Sequence, residues 1–346
     1  ILDSLIKTPV SIITGFLGSG KTTLISNLIN KFRNGKLAII VNEFGDLGVD
    51  GEILKSCAIP NCPEENIIEL SNGCICCTVA DDFIPTIESL LKMKPKPDQI
   101  IIETSGLALP KPLLKAFEWP EIKSKITVDG VIALADAEAV SNGRFAPSIE
   151  AVNKQRLADK NVSHDTPLSE VFEDQVNCAD LILLTKCDNI NHIDLLKSKS
   201  IINNIKNNSK PIIEVINGKI NPKILLSLQS EAENDLKSRP SHHDNEEEHD
   251  HEDFESIVLN LDEIEDAKEI CKKIERLTED YEILRIKGYL SIKNKPMRFL
   301  IQSVGSRVRG QYDKMWEPNQ IKKSTLVFIV EHDKINKTII QKYILG

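Results

Sequence analysis

The segment best equipped for chemistry is GFLGSGKT, at residues 15–22. A glycine, four residues, a second glycine, lysine and threonine form the spacing of a phosphate-binding loop. An apolar run at residues 10–13 predicts a strand before it, and apolar residues four apart predict a helix after it. Glycines let backbone N–H groups close around phosphate oxygens at the positive end of a helix. The predicted nucleotide ligands are Gly15, Gly18, Ser19, Gly20, Lys21, Thr22 and Thr23.

Two side chains of this loop carry the predicted chemistry. Lys21 is placed to reach the β- and γ-phosphates, which makes it a predicted catalytic residue, and the Thr22 hydroxyl is a predicted ligand of Mg²⁺. The alternative interpretation is a glycine turn between a strand and a helix.

A second reactive segment, NGCICC, places Cys74, Cys76 and Cys77 within four positions. Disulfides between such close neighbours are strained, whereas thiolates bind Zn²⁺ and neighbouring borderline ions in tetrahedral sites. Three ligands leave one position open, which suits a metal ion that is handed on. The alternative is a cluster of inert buried cysteines. Small buried residues are the favoured interpretation of Cys57, Cys62, Cys178, Cys187 and Cys271, with an accessory-ligand role for the first two as the alternative.

Polar residues also follow two apolar runs that predict buried strands. Glu103-Thr104-Ser105-Gly106 comes after the run at residues 99–102. An acidic residue at a strand end, followed by a glycine that can face a γ-phosphate, is what a nucleotide switch requires. Glu103 is therefore a predicted catalytic residue and Gly106 a predicted nucleotide ligand.

Thr185-Lys186-Cys187-Asp188 comes after the run at residues 181–184. A carboxylate at Asp188 can accept hydrogen bonds from the N1–H and the exocyclic amine of guanine, a pair that adenine lacks. Lys186 would lie along the base. The predicted base ligands are Thr185, Lys186 and Asp188, and the alternative is a strand end followed by an aspartate helix cap.

These segments need a scaffold that brings strand ends together. Further strands are predicted at residues 37–41, 126–135 and 211–215, and helices at residues 84–91 and 168–176. Residues 46–73 show little periodicity and predict a long irregular excursion. The alternation of predicted strands and helices predicts an α/β fold. We expect a P-loop NTPase domain at residues 1–228, with a mostly parallel sheet covered on both faces.

The last third of the chain changes character. Residues 229–253 end in SHHDNEEEHDHED, with four histidines, seven carboxylates and no apolar residue, and predict a linker. Its histidines either collect divalent ions loosely or belong to a solvated spacer. Residues 254–346 predict a smaller α+β domain, with a helix at residues 263–277 and strands at 254–260 and near 282–290, 297–304 and 324–330.

Aromatic residues of this domain allow two interpretations. Tyr312 and Trp316, with Lys287 and Gly288, either mark a docking face or pack in the core, and core packing is favoured.

Composition excludes several classes of protein. The 346 residues are 41% hydrophobic and 27% charged, as in a globular protein, and the net charge of −9 disfavours nucleic acid or an anionic membrane as partner. No apolar run approaches the length of a membrane span, and residues 1–15 lack the parts of a signal peptide. We expect a cytoplasmic protein.

Five segments in this order, GFLGSGKTT, NEFGDLGVD, NGCICC, ETSGLALP and TKCD, resemble the CobW family of P-loop GTPases and metallochaperones. The likeness extends to GRFAP, FEDQVNCADLILLTK, LRIKGYL, KPMRFLIQSVG and YDKMW, and so covers nearly the whole chain. It is closest to members that serve cobalamin biosynthesis. The sequence departs from the family pattern at Thr185, where the family usually has Asn.

The resemblance implies a GTPase that couples GTP hydrolysis, with Mg²⁺, to loading a metal ion at the Cys-x-Cys-Cys site and delivering it. The ion implied is Co²⁺, for insertion into the corrin ring by a cobalt chelatase or for another metal-requiring client. A zinc chaperone of the same build is one alternative, since thiolates accept both ions. A metal buffer that does not hydrolyse nucleotide is the other, against which the intact Lys21-Thr22 pair argues.

Overall fold

The computed structural model describes residues 7–32, 35–42, 66–70, 83–158, 167–206, 210–226, 254–316 and 322–346. Its contacts divide the chain into two compact units, Ile1–Leu228 and Gln229–Gly346. We call them the N-terminal and C-terminal units and describe each by itself.

The described part of the N-terminal unit contains a sheet of seven strands, all paired in parallel, in the order β3-β2-β4-β1-β5-β6-β7. The strands are β1 (Thr8–Thr14), β2 (Leu37–Asn42), β3 (Ile67–Leu70), β4 (Gln99–Glu103), β5 (Ile126–Asp136), β6 (Leu181–Thr185) and β7 (Ile212–Val215).

Helices connect these strands. They are α1 (Lys21–Lys31), α2 (Ile84–Lys92), α3 (Pro110–Ala116), α4 (Pro120–Lys123), α5 (Ala137–Ser141), α6 (Ile149–Ala158), α7 (Leu168–Cys178), α8 (His192–Ile205) and α9 (Pro222–Leu225). Every residue of β1, β4 and β6 is buried, as expected of strands covered on both faces. The predicted α/β fold is confirmed.

Strand order decides where a ligand can bind. Strands β4, β2 and β3 lie on one side of β1, whereas β5, β6 and β7 lie on the other. Open parallel sheets bind ligands beyond the carboxyl ends of the strands at the point where the order reverses direction. The segments that follow β1, β4, β5 and β6 therefore meet at one edge of the sheet.

One strand and several helices of this unit differ from the sequence prediction. The excursion predicted at residues 46–73 was wrong at its end, because Ile67–Leu70 forms β3 and pairs with β2 from Ile39 to Asn42. Four residues are too few to show a period. The sequence analysis did not predict helices α3, α4, α5, α6, α8 and α9. In α8 the apolar pattern is blurred by Ile193 and Leu196, which are exposed.

The C-terminal unit contains, in its described residues, a five-stranded antiparallel sheet in the order β11-β10-β9-β12-β8. Apolar residues of both helices and of the sheet form one core. The elements are β8 (Phe254–Leu261), α10 (Ala267–Asp280), β9 (Ile283–Leu290), β10 (Met297–Val304), β11 (Arg307–Met315), β12 (Ser324–Glu331) and α11 (Lys337–Leu345).

This arrangement confirms the predicted α+β class and corrects its details. The helix predicted from residue 263 begins at Ala267, because the Asp266 side chain accepts a hydrogen bond from the Lys268 N–H and caps it. Strand β11 was missed because its sequence, RVRGQYDKM, is polar and contains glycine. Helix α11 was also missed. Across the described residues, no helix is long and apolar enough to cross a membrane.

Strands β9 and β12 pair closely at Gly288, which leads to a testable prediction. A Cβ atom at this position would lie 2.0 Å from the Thr325 carbonyl oxygen and 2.8 Å from the Leu326 Cα atom. Because backbone must move to relieve that overlap, we expect Gly288→Ala to lower the free energy of unfolding of the C-terminal unit by about 3 kcal/mol. Urea unfolding followed by Trp316 fluorescence, in a Trp119→Phe background, measures it.

The control is Lys295→Ala, which changes an exposed residue of the same unit. A Gly288→Ala midpoint equal to that of the control would contradict the pairing described here.

Candidate nucleotide-binding site

The loop at residues 15–22, called the glycine loop, joins β1 to α1. Gly15, Gly18 and Gly20 have φ angles of 143°, 79° and 98°, in the region that favours glycine. A Cβ atom on Gly15 would lie 2.6 Å from the Leu134 carbonyl oxygen and 2.8 Å from Ser19 Oγ. The loop therefore wraps closely over the end of β5 and requires glycine to do so.

Lys21 folds back over this loop. Its side chain is buried, and Nζ donates hydrogen bonds to the carbonyl oxygens of Gly15 at 2.9 Å and Phe16 at 3.1 Å. The ammonium group is thus held inside the loop, where phosphate oxygens are stronger acceptors than the carbonyls.

Three neighbouring hydroxyl side chains differ in their surroundings. Ser19 is buried, and its Oγ has no hydrogen-bond partner among the described residues. Thr22 is half-buried and Thr23 is exposed. A buried hydroxyl without a partner, beside a buried ammonium group, fits a loop built to hold an anion.

The segment at residues 103–106, called the Glu103 loop, follows β4. Glu103 is 3% exposed and pairs in register with Ile13 of β1. A Cβ atom on Gly106 would lie 2.7 Å from the Leu17 backbone nitrogen. The Glu103 loop and the glycine loop are therefore in direct contact.

Sequence reasoning missed the side chains that hold the Glu103 loop. Gln175 of α7 is 1% exposed, and its Nε2 donates to the carbonyl oxygens of Gly106 at 3.0 Å and Ala108 at 3.2 Å. Gln155 of α6 donates to Ser105 Oγ at 3.3 Å. No signal in the sequence marks either glutamine, since each acts through a tertiary contact.

The segment at residues 185–188, called the Asp188 loop, follows β6. Thr185 Oγ1 donates to the Ser19 carbonyl oxygen at 2.7 Å and approaches the Ala135 carbonyl oxygen at 3.2 Å. The short hydroxyl at this position thus bridges the Asp188 loop, the glycine loop and β5.

Lys186 makes a second bridge. It has a positive φ of 57°, and its Nζ donates to the Gly18 carbonyl oxygen at 2.7 Å. The same ammonium lies 2.7 Å from Asp136 Oδ2. Asp136 also caps α5, since its Oδ1 accepts a hydrogen bond from Ala139 N–H at 2.8 Å. The strand predicted at residues 126–135 stops one residue before Asp136, and the sequence analysis assigned this residue no role.

Asp188 itself is exposed at the end of this loop. Its Oδ1 accepts one hydrogen bond, of 3.3 Å, from the backbone N–H of Asn217. The carboxylate therefore has capacity to accept further hydrogen bonds from a base.

Several predicted groups lie outside the described residues. These are Cys57, Cys62, Cys74, Cys76, Cys77 and the linker histidines. In the described ranges, no three His, Cys, Asp or Glu side chains form a group that could hold a metal ion. Strand β3 ends at Leu70, level with Asn42 of β2, four residues before Cys74.

The described cysteines are free thiols, namely Cys178, Cys187 and Cys271. The predicted burial holds for Cys187, while Cys178 and Cys271 are half-buried. Burial raises the pKa of the Cys187 thiol to about 11, and burial likewise raises the pKa of Cys271 to about 11.

Trp316 is buried and lies edge-on to Tyr289, whereas Tyr312 is 41% exposed while its ring meets Phe299 edge-on. Core packing thus applies to Trp316 and in part to Tyr312.

An open parallel sheet, with a glycine loop between its first strand and first helix, defines a P-loop nucleotide-binding protein. The family model described as CobW/HypB/UreG, nucleotide-binding domain, matches residues 9–214. The model described as cobalamin synthesis protein cobW C-terminal domain matches residues 254–343. The chain belongs to the CobW family of P-loop GTPase metallochaperones.

Relatives in this family share much of the sequence. The chain is 46% identical over 331 residues to a Sinorhizobium protein named zinc chaperone CobW, covering 94% of each chain. It is 45% identical over 334 residues to a protein of the same name from Pseudomonas aeruginosa, covering 95% of this chain and 88% of that one. The crystal structure of Zn(II)-bound YjiA GTPase from E. coli is 26% identical, covers 99% of both chains and has a TM-score of 0.42.

The raised pKa of Cys187 leads to a testable prediction about its rate of alkylation. Alkylation requires the thiolate, and a rise from 9.0 to about 11 lowers the thiolate fraction near pH 8 about 100-fold. Iodoacetamide should therefore label Cys187 in the native protein about 100-fold more slowly than in the protein unfolded in urea, as measured by peptide mass spectrometry. The rate should rise with pH up to about 11. Equal rates in the two states would contradict the burial of this thiol.

Proposed function

We propose that the protein is a GTP-dependent metallochaperone that loads Zn²⁺ at Cys74, Cys76 and Cys77 and releases it to a client protein. The observation that carries the nucleotide half is the buried Lys21 ammonium, held within hydrogen-bond distance of Gly15 and Phe16 inside a loop that only glycine can form. The three closely spaced cysteines, Cys74, Cys76 and Cys77, are the basis for proposing metal binding.

The glycine loop is the proposed phosphate site. Lys21 would exchange its two carbonyl partners for phosphate oxygens, and Ser19 Oγ would gain a partner that it lacks among the described residues. The proposed ligands are Gly15, Gly18, Ser19, Gly20, Lys21, Thr22 and Thr23. Thr22 would hold Mg²⁺, which would supply positive charge to the phosphates.

Glu103 and Gly106 are proposed to respond to the γ-phosphate. Phosphoryl transfer needs positioned charge more than covalent chemistry, so a residue that orients water beside the phosphate contributes to rate. Glu103, at the end of β4 and in register with Ile13 near the end of β1, is our candidate for that role. The contact between Gly106 and Leu17 supports it, because a shift at the phosphates would reach the Glu103 loop directly.

The Asp188 loop is the proposed guanine site. The Asp188 carboxylate would accept the N1–H and the exocyclic amine, while Lys186 and Thr185 hold the loop against Gly18 and Ser19. Thr185 replaces the family's usual Asn, and its hydroxyl makes the bridging contacts that loop placement requires.

Zinc is the proposed cargo for two reasons. Both relatives reported above are named zinc chaperones. Zinc is also bound more tightly than cobalt by a given set of ligands. Co²⁺ delivered to a cobalt chelatase remains the alternative cargo and client, since three thiolates accept either ion. We further propose residues 229–253 as a linker between domains at 1–228 and 254–346.

Lys21→Ala tests the phosphate site. Because the lysine charge serves the phosphates, we expect GTP hydrolysis to fall at least about 100-fold while the melting temperature without nucleotide stays within a few degrees. Hydrolysis is measured by phosphate release, and the melting temperature by thermal unfolding. Lys31→Ala, an exposed lysine at the far end of α1, is the control. Near-normal turnover by Lys21→Ala would overturn the assignment.

Cys76→Ser tests the coupling of metal to nucleotide. Strand β3, which ends four residues before Cys74, runs parallel to β1, so both strands end at the same carboxyl edge of the sheet. We therefore expect a γ-phosphate bound in the glycine loop to change the affinity of the thiolates for metal. We expect Zn²⁺ affinity to be about 5- to 150-fold higher with Mg·GTP than with GDP, and linkage requires zinc to raise GTP affinity equally. Competition titration with a zinc chelator measures it.

Cys76→Ser should weaken zinc binding and abolish the coupling while GTP still binds, whereas Cys271→Ser should keep both. A buffered mixture of Zn²⁺ and Co²⁺, followed by metal analysis, identifies the preferred ion. Identical metal affinities in the GTP, GDP and nucleotide-free states would leave only a GTPase with a static thiolate site.

A further inference from the structure

Asn27, a half-buried residue of α1, reaches across to the chain that follows β7. Its Nδ2 donates hydrogen bonds to the carbonyl oxygens of Gly218 at 2.9 Å and Asn217 at 3.2 Å. The two contacted residues are about 190 positions away in sequence, so this is a tertiary clamp between the helix of the glycine loop and a distant turn.

The clamped turn has a demanding backbone. Asn217 and Gly218 both have positive φ angles, of 51° and 66°, and Lys219 N–H closes the turn on the Ile216 carbonyl oxygen at 2.9 Å. Two central residues with positive φ define a type I′ turn, for which Asn-Gly is the favoured pair. The sequence therefore suits this turn, and the position of the turn depends on the residues against which it packs.

It packs against α1. A Cβ atom on Gly218 would lie 2.9 Å from Thr23 Cγ2 and 3.0 Å from Asn27 Nδ2. On its other side, the backbone N–H of Asn217 donates to Asp188 Oδ1 at 3.3 Å. The turn thus bridges the first turns of α1 and the carboxylate proposed to read the base.

We propose that Asn27 is a positioning residue for guanine selectivity, which acts by holding the Asn217-Gly218 turn beside Asp188. This rests on the proposed function of Asp188. With guanine on the carboxylate, the neighbouring Asn217 N–H would suit the carbonyl at position 6 of guanine and would oppose the amino group that adenine carries there. Loss of the hydrogen bonds from Asn27 lets the turn move away from Asp188. The protein then loses part of its preference for guanine over adenine, while its contacts with the phosphates stay unchanged.

Asn27→Ala is the test, with Asn30→Ala, an exposed asparagine on the same helix, as the matched control. Dissociation constants for Mg·GTP and Mg·ATP are measured in the full-length protein by calorimetry. We expect Asn27→Ala to weaken GTP about 10-fold, as loss of two neutral hydrogen bonds allows, and to leave ATP within about twofold of the parent. Gly218→Ala, whose added Cβ atom would overlap Thr23 Cγ2 and Asn27 Nδ2 and so displace the turn from α1, should also lower the GTP preference.

A double-mutant cycle separates positioning from a general structural role. In an Asp188→Ala background, Asn27→Ala should cause no further loss of GTP affinity, since both act on the base. An undiminished loss in that background, an equal loss for GTP and ATP, or an Asn27→Ala protein indistinguishable from Asn30→Ala would each overturn the inference. A parent protein without a preference for GTP over ATP would instead overturn the proposed role of Asp188.

Discussion

Close approach of backbone to backbone around the glycine loop is the constraint on which the rest of the structure depends. Gly15 lies against β5 and Gly106 against Leu17, and neither position has room for a Cβ atom. Packed this tightly, the loop has few alternative conformations to lose when a ligand binds, and such preorganisation favours both affinity and catalysis.

Hydrogen bonds extend this constraint to the neighbouring strand ends. Thr185 donates to Ser19, and Lys186 donates to Gly18 while it pairs with Asp136. The glycine loop therefore contacts the segments after β4, β5 and β6 directly. A ligand that moved the loop would move these segments too, and the proposed coupling between nucleotide and metal relies on such contacts.

The two lysines differ in what they offer a nucleotide. Lys21 is buried and donates to carbonyls of its own loop, so its partners can be exchanged for phosphate oxygens. Lys186 is more than a third exposed on its side chain and is already paired with the buried carboxylate of Asp136. The first is suited to a ligand that arrives and leaves, and the second to permanent placement of the Asp188 loop.

Much of the fold and part of the candidate site could be predicted, because local sequence determines them. The glycine loop, the buried strands β4 and β6 and the α+β character of the last 93 residues follow from spacing and apolar runs within a few positions. Gln175, Asp136 and Asn27 could not be predicted, because each acts on residues at least 50 positions away or on a backbone group that only the fold brings near. Strand β11 was hidden by its polar sequence.

We propose that GTP hydrolysis releases the metal ion, and a single-turnover experiment tests this proposal most directly. Protein loaded with Zn²⁺ and Mg·GTP is mixed with a chromogenic zinc chelator, and phosphate production and the zinc–chelator signal are followed together. The account predicts that zinc appears with the rate constant of phosphate production and is retained when a non-hydrolysable GTP analogue replaces GTP. Zinc loss at the same rate with GTP and with the analogue would contradict it.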